Sequence, residues 1–113
     1  MMILLTPVLA ITLMDISQKV NKDLPRVYDS VTKVMRTTVE NDYFIYHYIV
    51  DGSKLEFDRA LPMVKSNITK SICKDEPTRT VLVHLKKSVV YRYESPKGIS
   101  LGQFMVSPSH CQK

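Results

Sequence analysis

With 113 residues, 44% of them hydrophobic and 24% charged, the chain has the size and make-up of one globular domain. That balance is globular rather than disordered, and no internal repeat or low-complexity tract is visible. The formal charge of +5 is unevenly spread. Residues 1–58 hold six Lys/Arg against eight Asp/Glu, whereas residues 59–113 hold ten against three. A basic half suits nucleic acid, an anionic membrane surface or an acidic protein partner. Its densest run is only Lys86–Lys87, which reads equally well as a solvated surface.

Residues 1–14, MMILLTPVLAITLM, carry no charge and are too short for the ~20 residues that span a bilayer. They read as the remnant of an export signal, although no Lys or Arg precedes the apolar run and no small-x-small cleavage site follows it. The alternative is an apolar first element packed on the domain. From Asp15 the expected single domain begins.

Asp15 to Leu24 reads as a helix with Asp15 as N-cap, because Ile16, Val20 and Leu24 recur every four residues and Pro25 then stops it. Val31 to Val39 is rich in β-branched residues and reads as a strand. Glu40–Asn41–Asp42 supplies a turn, and Tyr43 to Val50 returns as the second strand of a hairpin. Phe44, Tyr46, Tyr48 and Val50 share one side of that strand; Tyr43, Ile45, His47 and Ile49 share the other. Both sides are apolar, which places the strand centrally in its sheet.

Ser53 followed by Glu56 is a capping box. It opens an amphipathic helix with Phe57, Leu61, Val64, Ile68 and Ile72 on its apolar face. Pro62 interrupts the pattern and should kink the helix or move its start to about Leu61. Asp75–Glu76–Pro77 closes the segment. Residues Thr78 to Leu85 are ambiguous between strand and short helix. Ser88 to Tyr93 is a strand, Ser95 to Gly98 a turn, and Ile99 to Val106 the closing strand. The expected class is α+β: an antiparallel sheet of about four strands, in two hairpins, with two helices packed on one face.

Cys73 falls at the end of the long helix and Cys111 almost at the C-terminus. A Cys73–Cys111 disulfide would tie down a terminus that otherwise frays, and would stabilise the fold by about 3–4 kcal/mol in the chain-entropy model. Two free thiols are the alternative. The three scattered histidines give no metal site, and no cofactor motif is present.

Leu24–Pro25 to Asp29, the hairpin with Tyr46–His47–Tyr48, the helix ending in Cys73, then Tyr91–Arg92–Tyr93, Gly98 and Cys111 form a set. Together they resemble a group of small, largely uncharacterised exported bacterial α+β domains. The resemblance spans about Ile16 to Cys111 and implies a periplasmic or secreted setting. It supplies no catalytic residues. Small exported proteins of this type include pilotins and toxin-immunity proteins, which work by binding; that is analogy of fold and setting.

Three functional readings follow. The first is a small exported, non-enzymatic binding protein whose partner is another envelope protein or a secreted toxin. Its candidate contacts are Lys65, Lys70, Lys86, Lys87 and Arg92. The second is a cytoplasmic nucleic-acid-associated protein that uses the same basic half and keeps its thiols free. In that reading the tyrosines would stack bases, although they are more simply core residues with rim hydroxyls. The third, a hydrolase built on His47 or Cys73, lacks any recognisable nucleophile motif.

Overall fold

The computed structural model describes residues 11–111. Most of the expected export segment (1–10) therefore lies outside the described residues. Its last two residues, Leu13 and Met14, are the first of helix α1, Leu13–Asn21. Thr12, not Asp15, is the N-cap. Asp15 sits at the third helical position and completes a capping box: its amide donates to Thr12 Oγ1 (3.1 Å), and the Thr12 amide donates to its carboxylate (3.0 Å). The bond from the Thr12 amide, the larger cause, holds the Asp15 carboxyl below its ordinary pKa. The helix therefore starts earlier than the apolar spacing suggests, because the hydroxyl of Thr12 has first claim on the orphan amides.

A sheet of five strands runs in the order β1 (Arg26–Val27), β2 (Thr32–Glu40), β3 (Tyr43–Val50), β4 (Ser88–Glu94), β5 (Ser100–Val106). The α+β class holds, with one short strand more than expected. Three of the four pairings are antiparallel, but the central β3–β4 pair is parallel. The reason is topological. Between the hairpins the chain crosses over the sheet through α2 (Lys54–Ser71), and so enters β4 in the same direction as β3. Central placement of β3 is as expected: Tyr43 to Val50 pairs with β2 on one side and β4 on the other, and Phe44 to Tyr48 are all buried.

The capping box at Ser53 and Glu56 forms, and α2 runs unbroken from Lys54 through Pro62. Pro62 neither moves the start nor ends the helix. It lies on the exposed side, where water can take up the carbonyl that loses its donor. After a single 3₁₀ turn (Ile72–Lys74), Asp75 does not close the segment but opens the next. It caps α3 (Glu76–Arg79), which passes into one π-helical turn, Thr80–His84. The ambiguous stretch is thus helical. Its apolar residues serve burial: Val81 and Leu82 are fully enclosed.

All the helices cover the same face of the sheet. Ile16 of α1, Phe57 and Ile68 of α2, and Val81 and Leu82 join Phe44, Tyr46, Tyr48, Val89, Tyr91, Tyr93 and Phe104 in one core. α1 is fastened to β2 by polar contacts: Asn21 exchanges two hydrogen bonds with the Thr37 backbone (2.7 and 3.0 Å), and the Ser17 and Thr37 hydroxyls meet at 2.6 Å. At the other end, a Cys73–Cys111 disulfide joins the turn after α2 to a C-terminal 3₁₀ turn, Pro108–Cys111. The bond closes a loop with a sequence separation of 38. Nearby, His110 Nε2 lies 2.7 Å from the Thr69 carbonyl, a second tie between tail and helix.

Candidate functional site: a groove floored by tyrosines

The parallel register sets Tyr46 beside Tyr91 and Tyr48 beside Tyr93, so the two Tyr-x-Tyr pairs lie shoulder to shoulder. Tyr46 and Tyr91 stack with ring centroids 5.2 Å apart and planes at 9°, and Tyr48 and Tyr93 at 4.8 Å and 22°. Phe104 of β5 extends the row, 5.0 Å from Tyr91. Offset stacking of this kind adds rigidity beyond area burial.

Over this row the helices do not close completely. A cavity of about 380 Å³ opens above Tyr46, Tyr48 and Tyr91. One wall comes from α1 and the residues flanking β1, through Val20, Leu24 and Tyr28; the other comes from the end of α2 and the start of α3, through Ile68, Ile72 and Pro77. Asp23, Arg26 and Asp75 also line it, and all three are exposed, which places their charges at the mouth. Tyr28 meets Tyr48 edge to face at 6.1 Å and is half exposed, so an aromatic ring also stands at the rim. An apolar floor with a few convergent polar groups is the general form of a binding site.

The polar groups are ordered. Asp75 accepts the Thr78 hydroxyl at 2.5 Å, which leaves Thr78 Oγ1 to accept the Tyr46 hydroxyl at 2.8 Å. A relay therefore runs from the floor of the groove to a carboxylate at its mouth. Burial raises the pKa of the Tyr46, Tyr48, Tyr91 and Tyr93 hydroxyls, so all four stay neutral. The hydroxyl of Tyr93 is buried with no hydrogen-bond partner among the described residues. These are rings and hydroxyls suited to holding something, with no activated nucleophile among them.

His47 lies on the opposite face of the sheet. Its Nε2 is 2.7 Å from Thr38 Oγ1, and its Nδ1 is buried without a partner among the described residues. Burial lowers its pKa first, and the nearby Arg36 and Arg92 lower it further. Cys73 is not a free thiol, since the disulfide consumes it. The hydrolase reading thereby loses its nucleophile. Among the described residues no three His, Cys, Asp or Glu side chains gather as a metal site, and no helix is long and apolar enough to cross a membrane.

The five candidate cations do not form one patch. Lys65 and Lys70 project from α2, and Lys65 Nζ sits 5.9 Å from the Phe104 ring centre. Lys86, at φ 56°, and Lys87 form the turn into β4, where Lys87 pairs with Asp42 at 3.4 Å. Arg92 points from the opposite sheet face to Glu40 (3.3 Å) and Gln103 (3.1 Å). The groove residues Asp23, Arg26, Tyr28 and Thr78 were not legible as a site in sequence. One signal was present: Asp75-x-x-Thr78 with a proline between them is a helix start.

No family model matches the chain, and no curated protein matches it significantly. Solved structures do. A secreted-protein candidate of Pseudomonas aeruginosa aligns with a TM-score of 0.76 and 19% identity, over 88% of this chain and 89% of its own. EpsS, the type 2 secretion system pilotin of Vibrio vulnificus, gives 0.65 and 19%, over 88% and 91%. The type II secretion system pilotin AspS of Vibrio cholerae gives 0.61 and 14%, over 84% of each chain. At such identities the likeness is one of fold.

Proposed function

We propose that the chain is a small exported, non-enzymatic binding protein that seats a segment of an envelope protein in its tyrosine-floored groove. A pilotin-like accessory role is the form of that reading the fold favours. The observation that carries it is the groove itself. The two Tyr-x-Tyr strands build a rigid floor, and the helices leave it open to a mouth carrying Tyr28, Asp23, Arg26 and Asp75. The folds of two secretion-system pilotins and a secreted-protein candidate support the exported setting. So does the disulfide, since such bonds persist outside the reducing cytosol. Apolar floor plus aromatic rim is where binding energy concentrates, because Tyr contributes large contact area at small entropy cost.

The test is site-specific photo-crosslinking in the native host, with the crosslinker at Tyr28 and, as control, at Met63 on the exposed side of α2. One envelope protein captured from Tyr28 but not from Met63, and lost in a Tyr48→Ala background, is the expected result. Equal capture from both positions, or capture only of cytosolic protein or nucleic acid, overturns the reading.

A further inference from the structure

The two edges of the sheet are built differently. β1 has two residues, follows Pro25 and carries Arg26, all devices that discourage pairing with another strand. β5 is seven residues long and holds no Lys, Arg, Asp, Glu or Pro. It pairs with β4 on one side, and among the described residues nothing pairs with its other side. A bulge near Leu101, where Tyr93 pairs with Gly102 but Glu94 with Ser100, irregularises only its first residues. From Gly102 to Val106 the register is regular, and Met105 is exposed.

Charge selects the partner. Lys65 stands on the helix-covered side at Phe104, and among the described residues it pairs with no carboxylate. On the opposite side Arg92 donates to Gln103, the residue before Phe104. Arg92 is already held by Glu40 at 3.3 Å, so a strand laid against β5 would meet one cation free of a carboxylate among the described residues, Lys65, within the half of the chain that holds ten basic and three acidic residues. A second copy of this chain would offer a β5 with no Asp or Glu to answer Lys65. We infer that the free edge of β5 accepts an extended, acidic segment of a partner protein as a sixth strand, with main-chain hydrogen bonds supplying affinity and Lys65 selecting carboxylates. This edge is separate from the groove, and either proposal can fail without the other.

The experiment uses the full disulfide-bonded chain and a soluble capped peptide of alternating valine and glutamate, with the lysine counterpart as control. Amide shifts and hydrogen exchange are followed by NMR. Saturable shifts centred on Gly102–Val106, new protection there, and loss of binding when alternate peptide amides are methylated are expected. Lys65→Glu should weaken the glutamate peptide about fivefold, the scale of one exposed ion pair, and improve the lysine peptide. Since Lys65 is exposed, that variant keeps the fold. Shifts confined to the groove, equal binding of both peptides, or protection of β5 that grows with protein concentration alone would each overturn the proposal. The last would assign the edge to self-association.

Discussion

The two faces of the sheet are built on the same central strand yet solve burial differently. On one, Phe44, Tyr46 and Tyr48 are enclosed by three helical segments. On the other, Ile45, His47 and Val90 are also buried but stand outside that core. There the neighbours in register are Thr38 and Arg36 on β2 and Arg92 on β4. A central strand can therefore bury both sides while only one is packed by helices, and the groove arises only where helices leave a gap. The helix-covered face carries the cavity; the other is covered by the arms of its own cross-strand neighbours.

The sharpest way to break this comparison is to remove one large side chain from each face. Phe44→Ala should cost about 4 kcal/mol in chemical denaturation, since fully enclosed rings leave a cavity. Ile45→Ala should cost about 2–3 kcal/mol, because flexible neighbours can collapse into the space. Equal losses would mean that the second face is packed as tightly as the first. Thr78→Val, similar in volume, strands the Tyr46 hydroxyl and should cost about 1–2 kcal/mol. Thermal denaturation of that variant alongside Tyr46→Phe and the double variant would show non-additivity if the relay is one unit.

On the second face the informative variable is pH. His47 has a lowered pKa in the folded protein, so the unfolded chain binds its proton first. Stability from this group is complete above the unfolded value of about 6.5 and declines as pH falls below it, levelling once the folded protein also protonates. Denaturation midpoints between pH 5 and 8 should show this slope in the native chain and a flatter one in His47→Gln. The smallest effect belongs to the Arg92–Glu40 pair, both partners part-exposed. Glu40→Gln should change stability by less than about 1 kcal/mol, and high salt should erase even that.

The strands were legible because alternation and turn residues agree. Tyr43–Val50 is as the sequence pattern has it, and the Ser53–Glu56 capping box starts α2 on the expected residue. Misreadings arose where a local signal competes with a tertiary one. Pro62 is tolerated because its side of α2 faces water. Val81 and Leu82 lie in the stretch that composition left ambiguous between strand and short helix; they are helical, since Asp75 caps their segment and the core encloses them. The parallel β3–β4 pairing, and with it the stacked tyrosines, depends on where the second hairpin docks after the crossover. No residue in either hairpin encodes that by itself. The groove was illegible for the same reason: its walls come from α1 and from the α2–α3 junction, about fifty residues apart.

The Cys73–Cys111 bond also has a mechanical consequence. For a chain held at α1 and pulled at its C-terminal end, tension passes from residue 111 directly to residue 73. The whole β4–β5 hairpin hangs as a slack loop outside the load path. Stretching the oxidised protein would thus unravel only the first part of the chain. After reduction, the loop of separation 38 joins the extensible length, adding about 130 Å at roughly 3.4 Å per residue. A protein that must hold a partner while its tail is tugged would keep β5 and the floor tyrosine Tyr91 unloaded for as long as that one bond stays oxidised.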